Sequence, residues 1–259
     1  MLKSPKIKLT AALFRLVPIT LALMAGSTAL AQDKTAFVAS FSGDWFIFDP
    51  QIGASDKTCA LVLSKTGIDE TDQYSATSTN CVEPLADLSS WDIHDGQLRL
   101  FAADKTTPVA VLGGNQSRVT GTFPATKRGL IVERAKGDAS TRAMSAALAR
   151  HRCVYLGFTS KCAPAAALSR PALTEESGAY GSVGVLVNLN VRSQPRADAS
   201  IAGQLAQGTC LKVNDCAIAS DGIWCRARFG DRDGWVHKTA LRQKQWPVVT
   251  FTNSCAATN

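Results

Sequence analysis

The sequence lacks the short motifs that mark most catalytic and metal-binding sites. It contains no G-x-S-x-G nucleophile turn, no H-E-x-x-H zinc motif and no G-x-x-x-x-G-K-S/T phosphate loop. No two cysteines are spaced as C-x-x-C, and the three histidines, His94, His151 and His237, lie far apart, which argues against a zinc site of the usual ligand spacing. We therefore expect a protein that is not an enzyme and that needs no metal or other cofactor.

A second long apolar run is also absent; the only one lies near the N terminus. Four basic and no acidic residues precede an apolar stretch at 16–25, and small residues ending in Ala29-Leu30-Ala31 follow. This order is typical of a secretory signal peptide that is cleaved before Gln32. The stretch is shorter than the roughly 20 residues that a membrane-spanning helix needs. We expect a periplasmic or secreted protein that is not inserted in a membrane after cleavage.

A large excess of one charge is missing once the signal peptide is removed. The whole chain has 28 Lys and Arg against 21 Asp and Glu, a net charge of +7. Without residues 1–31 the count is 24 against 21, a net charge of +3. The remaining charges are interspersed, as on an ordinary solvated surface. This balance does not predict a polyanionic partner, so we expect no nucleic-acid binding.

Cysteine is absent before residue 59, which argues against a lipid-modified N terminus, and is frequent afterwards. The eight cysteines are Cys59, Cys81, Cys153, Cys162, Cys210, Cys216, Cys225 and Cys255. An even number in an exported chain predicts a disulfide framework. Their spacing favours three pairs: Cys153–Cys162, Cys216–Cys225 around a predicted turn, and Cys210–Cys255. The last two pairs have an alternative, in which Cys210 pairs with Cys225 and Cys216 pairs with Cys255.

Short strand-like segments with turn residues between them predict an all-β protein in two blocks, the first of which is a sandwich or closed barrel. Asp95-Gly96 between two alternating runs is typical of a two-residue hairpin. Between the blocks we predict a helix over Ala139–Arg150 with Asp138 as its N-cap. Residues 163–176, rich in Ala, Pro and Ser, are predicted to be a protease-sensitive linker. The predicted divisions are a signal peptide at 1–31, a first domain at 32–135, a linker at 136–179, a second domain at 180–242 and a tail at 243–259.

The first block carries an ordered set of landmarks. They are Ser42-Gly43-Asp44-Trp45, Cys59 with Leu61 and Leu63, Cys81, Trp91, Asp95-Gly96, Leu98-Arg99-Leu100, a strand at 109–112, and Leu130 with Arg134. In this order they resemble the AprI/Inh family, bacterial inhibitors of serralysin-type metalloproteases. The resemblance implies an eight-stranded antiparallel up-and-down barrel with a Cys59–Cys81 disulfide. A barrel of this size fills its interior with side chains, so a lipocalin-like carrier of a small apolar ligand ranks last among the functions considered.

The same resemblance implies a function for the residues ahead of Ser42. In the family, an N-terminal trunk threads into the protease cleft towards the catalytic zinc, which keeps one coordination position open. Here the trunk would begin with Gln32, Asp33, Lys34 and Thr35, although an N-terminal glutamine that cyclises would lose its amine. The implied partner is an exported zinc metalloprotease.

The last block carries a second ordered set. It comprises Leu189-Asn190-Val191-Arg192-Ser193, Pro195, Ile201, Gly203, Leu205, Gly208, Leu211, Val213, Trp224, Gly234-Trp235-Val236 and Leu241. This set resembles a bacterial SH3-like domain, although Gln194 stands where the family usually has glycine. The resemblance implies a small β-barrel with Trp235 in its core that binds cell-wall peptides or proteins.

Three aromatic residues of this block, Tyr180, Trp224 and Phe229, form a candidate groove for an extended peptide. His237 is expected on the barrel surface. The alternative to protease inhibition is thus a non-inhibitory protein that binds peptidoglycan or an envelope protein through the SH3-like domain.

Overall fold

The computed structural model describes residues 29–135, 137–173 and 180–255, with side chains from Lys34 onwards. Most of the predicted signal peptide therefore lies outside the described residues. The helices are α1 (Ala29–Phe41), α2 (Ala139–Arg150) and α3 (Ala165–Leu168). Asp138 caps α2 by accepting a hydrogen bond from the Thr141 backbone N–H, as its side-chain type predicts.

A closed barrel of eight antiparallel strands forms the N-terminal domain. Its strands are β1 (Gly43–Ile47), β2 (Cys59–Gly67), β3 (Tyr74–Thr79), β4 (Ser90–His94), β5 (Gln97–Phe101), β6 (Pro108–Gly114), β7 (Arg118–Thr122) and β8 (Gly129–Glu133). Each strand pairs with its neighbour in the chain, and β8 pairs with β1 to close the barrel. The predicted up-and-down barrel is therefore confirmed.

The barrel forms because apolar residues alternate along most of its strands, so that one side of each strand faces a common interior. Trp45 and Trp91 are fully buried there, together with the alternating Leu98 and Leu100. Asp95-Gly96 makes the turn between β4 and β5, and both residues have positive φ. The common two-residue hairpin turn needs positive φ at both positions, which Asp and Gly adopt readily, and Asp-Gly is therefore a strong hairpin signal.

Helix α1 packs on this barrel directly ahead of β1. Val38 is buried in the barrel core, and the Trp45 indole N–H donates to the Phe41 carbonyl at 2.7 Å. The Arg134 guanidinium lies 4.2 Å from the centre of the Trp45 ring and donates to the Ser42 carbonyl at 2.8 Å. The C-terminal end of α1 is therefore fixed to the barrel.

The C-terminal domain is built on a six-stranded antiparallel sheet. In spatial order its strands are β10 (Gly181–Gly184), β13 (Cys210–Ala219), β14 (Gly222–Phe229), β15 (Arg232–His237), β11 (Leu189–Arg192) and β12 (Ile201–Leu205). A second, three-stranded sheet joins β16 (Thr239–Arg242), β17 (Trp246–Val249) and β9 (Tyr155–Leu156). The core of the domain contains Val183, Val191, Val213, Cys225, Val236 and Phe251.

Strand β8 breaks the alternation because all five of its residues are buried. Leu130 and Val132 face the barrel interior, whereas Ile131 faces outwards into a separate apolar cluster. The other members of that cluster come from the C-terminal sheet: Ala217, Ala219, Trp224 and Trp235. The outer face of β8 is thus covered by the second domain, and Trp235 packs between the domains instead of in the small core where the sequence analysis placed it.

Gly129, at the start of β8, is required by this close packing. Its backbone N–H donates to Asp215 Oδ2 at 2.6 Å. A Cβ atom at Gly129 would lie 2.8 Å from the Trp235 ring and 2.7 Å from the Asp215 carboxylate. Burial raises the pKa of Asp215, although its hydrogen bond to Gly129 opposes that shift. Only glycine leaves room for both contacts.

The described part of the predicted linker is anchored by polar contacts. Arg170 lies 2.8 Å from Asp49 Oδ2 in the first domain, Pro171 is buried, and Asn253 donates to the Ala166 carbonyl at 2.6 Å. These contacts argue against protease cleavage within residues 163–173; residues 174–179 of the linker lie outside the described ranges.

Four disulfides join the eight cysteines, in the pairs that the sequence analysis favoured: Cys59–Cys81, Cys153–Cys162, Cys210–Cys255 and Cys216–Cys225. Such a framework indicates an extracytoplasmic protein, because cytoplasmic thiols are kept reduced. Among the residues that the structure describes, no helix is long and apolar enough to cross a membrane.

Candidate functional site

A cleft of about 660 Å³ lies where α2 and the loop after β9 meet the C-terminal domain. Its apolar lining, here called the apolar wall, comprises the exposed Ala139, Ala143 and Phe158 and the buried Met144, Leu189 and Val248. Clefts of 300–1,000 Å³ with mostly apolar walls and a few polar groups are the usual form of ligand sites. We therefore treat this cleft as the candidate binding site.

Phe158 stands at the cleft with 60% of its surface exposed, the largest value among the large apolar residues of the described chain. The loop that carries it is closed by the Cys153–Cys162 disulfide. The Gly157 backbone N–H donates to the Val249 carbonyl at 3.1 Å and ties the loop to β17. An exposed aromatic ring on a fastened loop is available to pack against a ligand.

Three basic residues, Arg192, Arg242 and Lys244, also line the cleft. None of them forms a salt bridge with a carboxylate of the described residues. Arg192 donates to the Ala199 carbonyl at 2.7 Å, and Arg242 lies 5.5 Å from the centre of the Tyr155 ring. Burial lowers the pKa of Arg192, and the charge of Asp198 opposes that shift without forming a salt bridge.

The floor of the cleft is a stacked and hydrogen-bonded group made of Asp221, Trp224 and His237. The His237 and Trp224 rings are parallel within 4°, with centres 4.2 Å apart. The Trp224 indole N–H donates to Asp221 Oδ1 at 3.0 Å, and His237 Nε2 lies 3.1 Å from the Asp221 carbonyl. His237, expected on the surface from the sequence, is instead part of this floor.

The electrostatics of the floor depend on Asp221, its partner Arg118 and the buried His237. Arg118 lies 2.9 Å from Asp221 Oδ1; burial opposes the charge of Asp221, but His237 and Arg118 together lower the pKa of this carboxyl group. Burial lowers the pKa of His237, although the neighbouring Asp221 opposes that shift. Arg118 is shared between Asp221 and Glu133, and the cleft lining has three basic side chains against one acidic side chain.

The structure does not bring the three predicted groove residues together. Trp224 is only 1% exposed and lies in the floor and the domain interface. Phe229 stands an odd number of positions further along β14, on the opposite face, and packs on the domain core. Tyr180 packs under the Arg228 guanidinium, 5.1 Å from its ring centre. The aromatic residue that is exposed beside the cleft is Phe158, which the sequence analysis did not select.

The four predicted trunk residues lie in α1. The side chains of Gln32 and Asp33 are outside the described set. Lys34 Nζ lies 3.2 Å from Asp72 Oδ1, and Thr35 is exposed. The backbone of this segment is helical, whereas the family resemblance implies an arm that threads into a cleft.

The C-terminal sheet, with its short antiparallel strands and small core, defines a compact SH3-like β module. Residues 187–242 match the family model described as Bacterial SH3 domain. The match runs from Val187 to Arg242 and includes most residues of the cleft floor and rim. No curated protein is significantly similar to the chain. The N-terminal domain is described by its fold alone, a closed barrel of eight antiparallel strands.

Proposed function

We propose that the chain is a non-enzymatic, periplasmic or secreted binding protein whose bacterial SH3 domain recognises a partner in the cleft. The observation that carries this proposal is the composition of the cleft: residues of the SH3 match form its floor and rim, and α2 and the Phe158 loop complete it. A domain of this class is a binding or targeting module. Its ligand site here extends beyond the matched residues.

A bulky residue on α2 is expected to test this proposal without disturbing the fold. Ala143 is exposed and lines the cleft, so Ala143→Trp fills the cleft and should abolish binding to isolated bacterial envelopes, measured by co-sedimentation. Ala146→Trp is the matched control, because Ala146 is exposed on the same helix and does not line the cleft. Equal sedimentation of wild type and Ala143→Trp, or no sedimentation of the wild type, would reject cleft-mediated targeting to the envelope.

A second candidate function is inhibition of an exported zinc metalloprotease of the serralysin type. The observation that favours it is the anchoring of α1: Val38, Trp45 and Arg134 fix the C-terminal end of the helix to the barrel. An anchored C-terminal end of α1 would direct the residues that precede it towards a protease cleft and would reduce the conformational entropy lost on binding. The zinc would then be approached by the first residues after signal cleavage.

Deleting residues 32–35 is expected to abolish such inhibition while leaving the barrel almost as stable. The deletion removes the Lys34–Asp72 ion pair, whose side chains are 39% and 93% exposed; exposed pairs contribute about 0–1 kcal/mol. The measurement is residual activity of a serralysin-type protease, with thermal unfolding in parallel. Asp72→Ala, which breaks the ion pair and keeps the trunk, is the control and should still inhibit. Full inhibition by the truncated protein would contradict the mechanism.

A further inference from the structure

We propose that the cleft binds an acidic peptide segment of a partner protein, with carboxylates on either side of a large apolar side chain. This inference rests on the proposed binding function and specifies the ligand of the same site. It follows from three independent features of the cleft: its excess of basic side chains, its apolar wall and its free amide donors.

The charge of the cleft selects an anionic ligand. Arg192, Arg242 and Lys244 line it and form no salt bridge among the described residues, whereas the one acidic lining residue, Asp221, is already paired with Arg118 at 2.9 Å. A concave surface lined by one sign of charge concentrates the field and attracts ligands of the opposite sign. Carboxylates are suited to the arginines, which can donate two parallel hydrogen bonds to each.

The apolar wall distinguishes a peptide from a bare anion. Its exposed apolar surface comes from Phe158, Ala139 and Ala143, whereas Met144, Leu189 and Val248 are at most 7% exposed. A phosphate or sulfate would leave this surface uncovered. A Phe or Leu side chain that entered the cleft would bury it, at roughly 25 cal/mol for each Å² removed from water.

Two asparagine side chains provide donors for a peptide backbone. Asn188 Oδ1 accepts from the Gln207 backbone N–H at 3.2 Å, and Asn190 Oδ1 accepts from Gln204 Nε2 at 2.9 Å. Both asparagines line the cleft, and their Nδ2 groups have no acceptor within residues 29–135, 137–173 and 180–255. Amide N–H groups of this kind can donate to the carbonyls of an extended chain.

The probe is the blocked, fluorescein-labelled peptide acetyl-Asp-Glu-Phe-Asp-Glu-amide, measured by fluorescence anisotropy with the full mature protein. Two comparison peptides replace the four acidic residues by lysine or the phenylalanine by glycine. We expect the acidic Phe peptide to bind best, by about tenfold or more over each comparison peptide, and its affinity to fall as salt is raised. Ala143→Trp should abolish binding.

The double variant Arg242→Gln, Lys244→Gln should weaken binding of the acidic peptide by about tenfold or more. Lys212→Gln is the matched control, because Lys212 is an exposed residue of β13 outside the cleft, and it should bind as the wild type does. Equal affinity for the three peptides, or equal affinity of the double variant and the wild type, overturns the inference.

Two further outcomes separate this inference from the proposed function. If Ala143→Trp stops sedimentation with envelopes but the acidic peptide does not bind, the cleft is the site and the ligand class is wrong. Cleft-dependent binding to purified peptidoglycan glycan strands in place of the peptide would also overturn the acidic-peptide inference while leaving the binding function intact. Failure of both assays rejects both.

Discussion

Replacing Arg118 by methionine is expected to lower the free energy of unfolding by about 3–5 kcal/mol, because two buried carboxylates lose the guanidinium that they share. Arg118 lies 2.6 Å from Glu133 Oε1 and 2.9 Å from Asp221 Oδ1, and all three side chains are at most 2% exposed. The guanidinium also donates to the Pro195 carbonyl at 3.0 Å. Glu133 belongs to the first domain, whereas Asp221 and Pro195 belong to the second.

Urea denaturation measures this loss. Arg228→Met is the control, since its partner Asp233 is 45% exposed and Arg228 itself is 51% exposed; removing a surface pair should change stability by less than about 1 kcal/mol. Adding Glu133→Gln and Asp221→Asn to Arg118→Met should recover much of the loss, because neutral amides are less costly to bury unpaired than charges. A change no larger than that of Arg228→Met would show that the carboxylates reach water.

Features governed by nearby residues could be predicted from the sequence. The Asp95-Gly96 hairpin and the Asp138 cap of α2 depend on local backbone preferences and local hydrogen bonds. The pairing of Cys216 with Cys225 follows from a hairpin that places them opposite each other. Barrel closure requires β1 to meet β8, and its prediction depended on resemblance to a family.

The domain interface could not be predicted by the same reasoning, although one signal was present. Leu130-Ile131-Val132 is a continuous apolar run in a barrel whose other strands mostly alternate. Such a run is typical of a strand covered on both faces, and the outer residue, Ile131, packs on Trp224 and Trp235. What covers the strand, however, depends on a domain almost 90 residues away.

The cleft is even harder to predict from the sequence than the domain interface. Met144, Phe158, Arg192 and Arg242 are distant in the sequence and meet only when α2 and the Phe158 loop pack on the C-terminal domain. The helical spacing of Met144 and Leu148 predicts an apolar face without naming the surface that it contacts. Trp224 was predicted, as an aromatic residue, to line a peptide groove, but burial against Asp221 and His237 makes it part of the floor.

The stability of the protein is expected to rise between pH 8 and 10.5 because of a single buried lysine. Lys238 is 1% exposed. Its amine donates to the Phe251 carbonyl at 3.3 Å and to Asn253 Oδ1, and it has no carboxylate partner in the described part of the chain. Burial lowers the pKa of Lys238 from 10.5 to about 8, since a low-dielectric environment disfavours the charged amine.

The direction of this stability change follows from the number of protons bound by the folded and the unfolded chain. Below pH 8 the amine is protonated in both the folded and the unfolded chain, so folding bears the full desolvation penalty. Between pH 8 and 10.5 the folded chain releases its proton first, and stability rises wherever the unfolded state binds more protons. A shift from 10.5 to about 8 corresponds to at most about 3 kcal/mol at 1.36 kcal/mol per pKa unit.

Lys238→Met isolates this contribution. Methionine keeps an unbranched apolar stem and never titrates, so the variant lacks the pH dependence that the Lys238 amine contributes. The difference in unfolding free energy between wild type and Lys238→Met should therefore move in favour of the wild type as pH rises from 7 to 10.5, because the other titrating groups are common to both proteins and cancel. Parallel profiles for the two proteins would mean that the amine keeps its ordinary pKa and reaches solvent despite its burial.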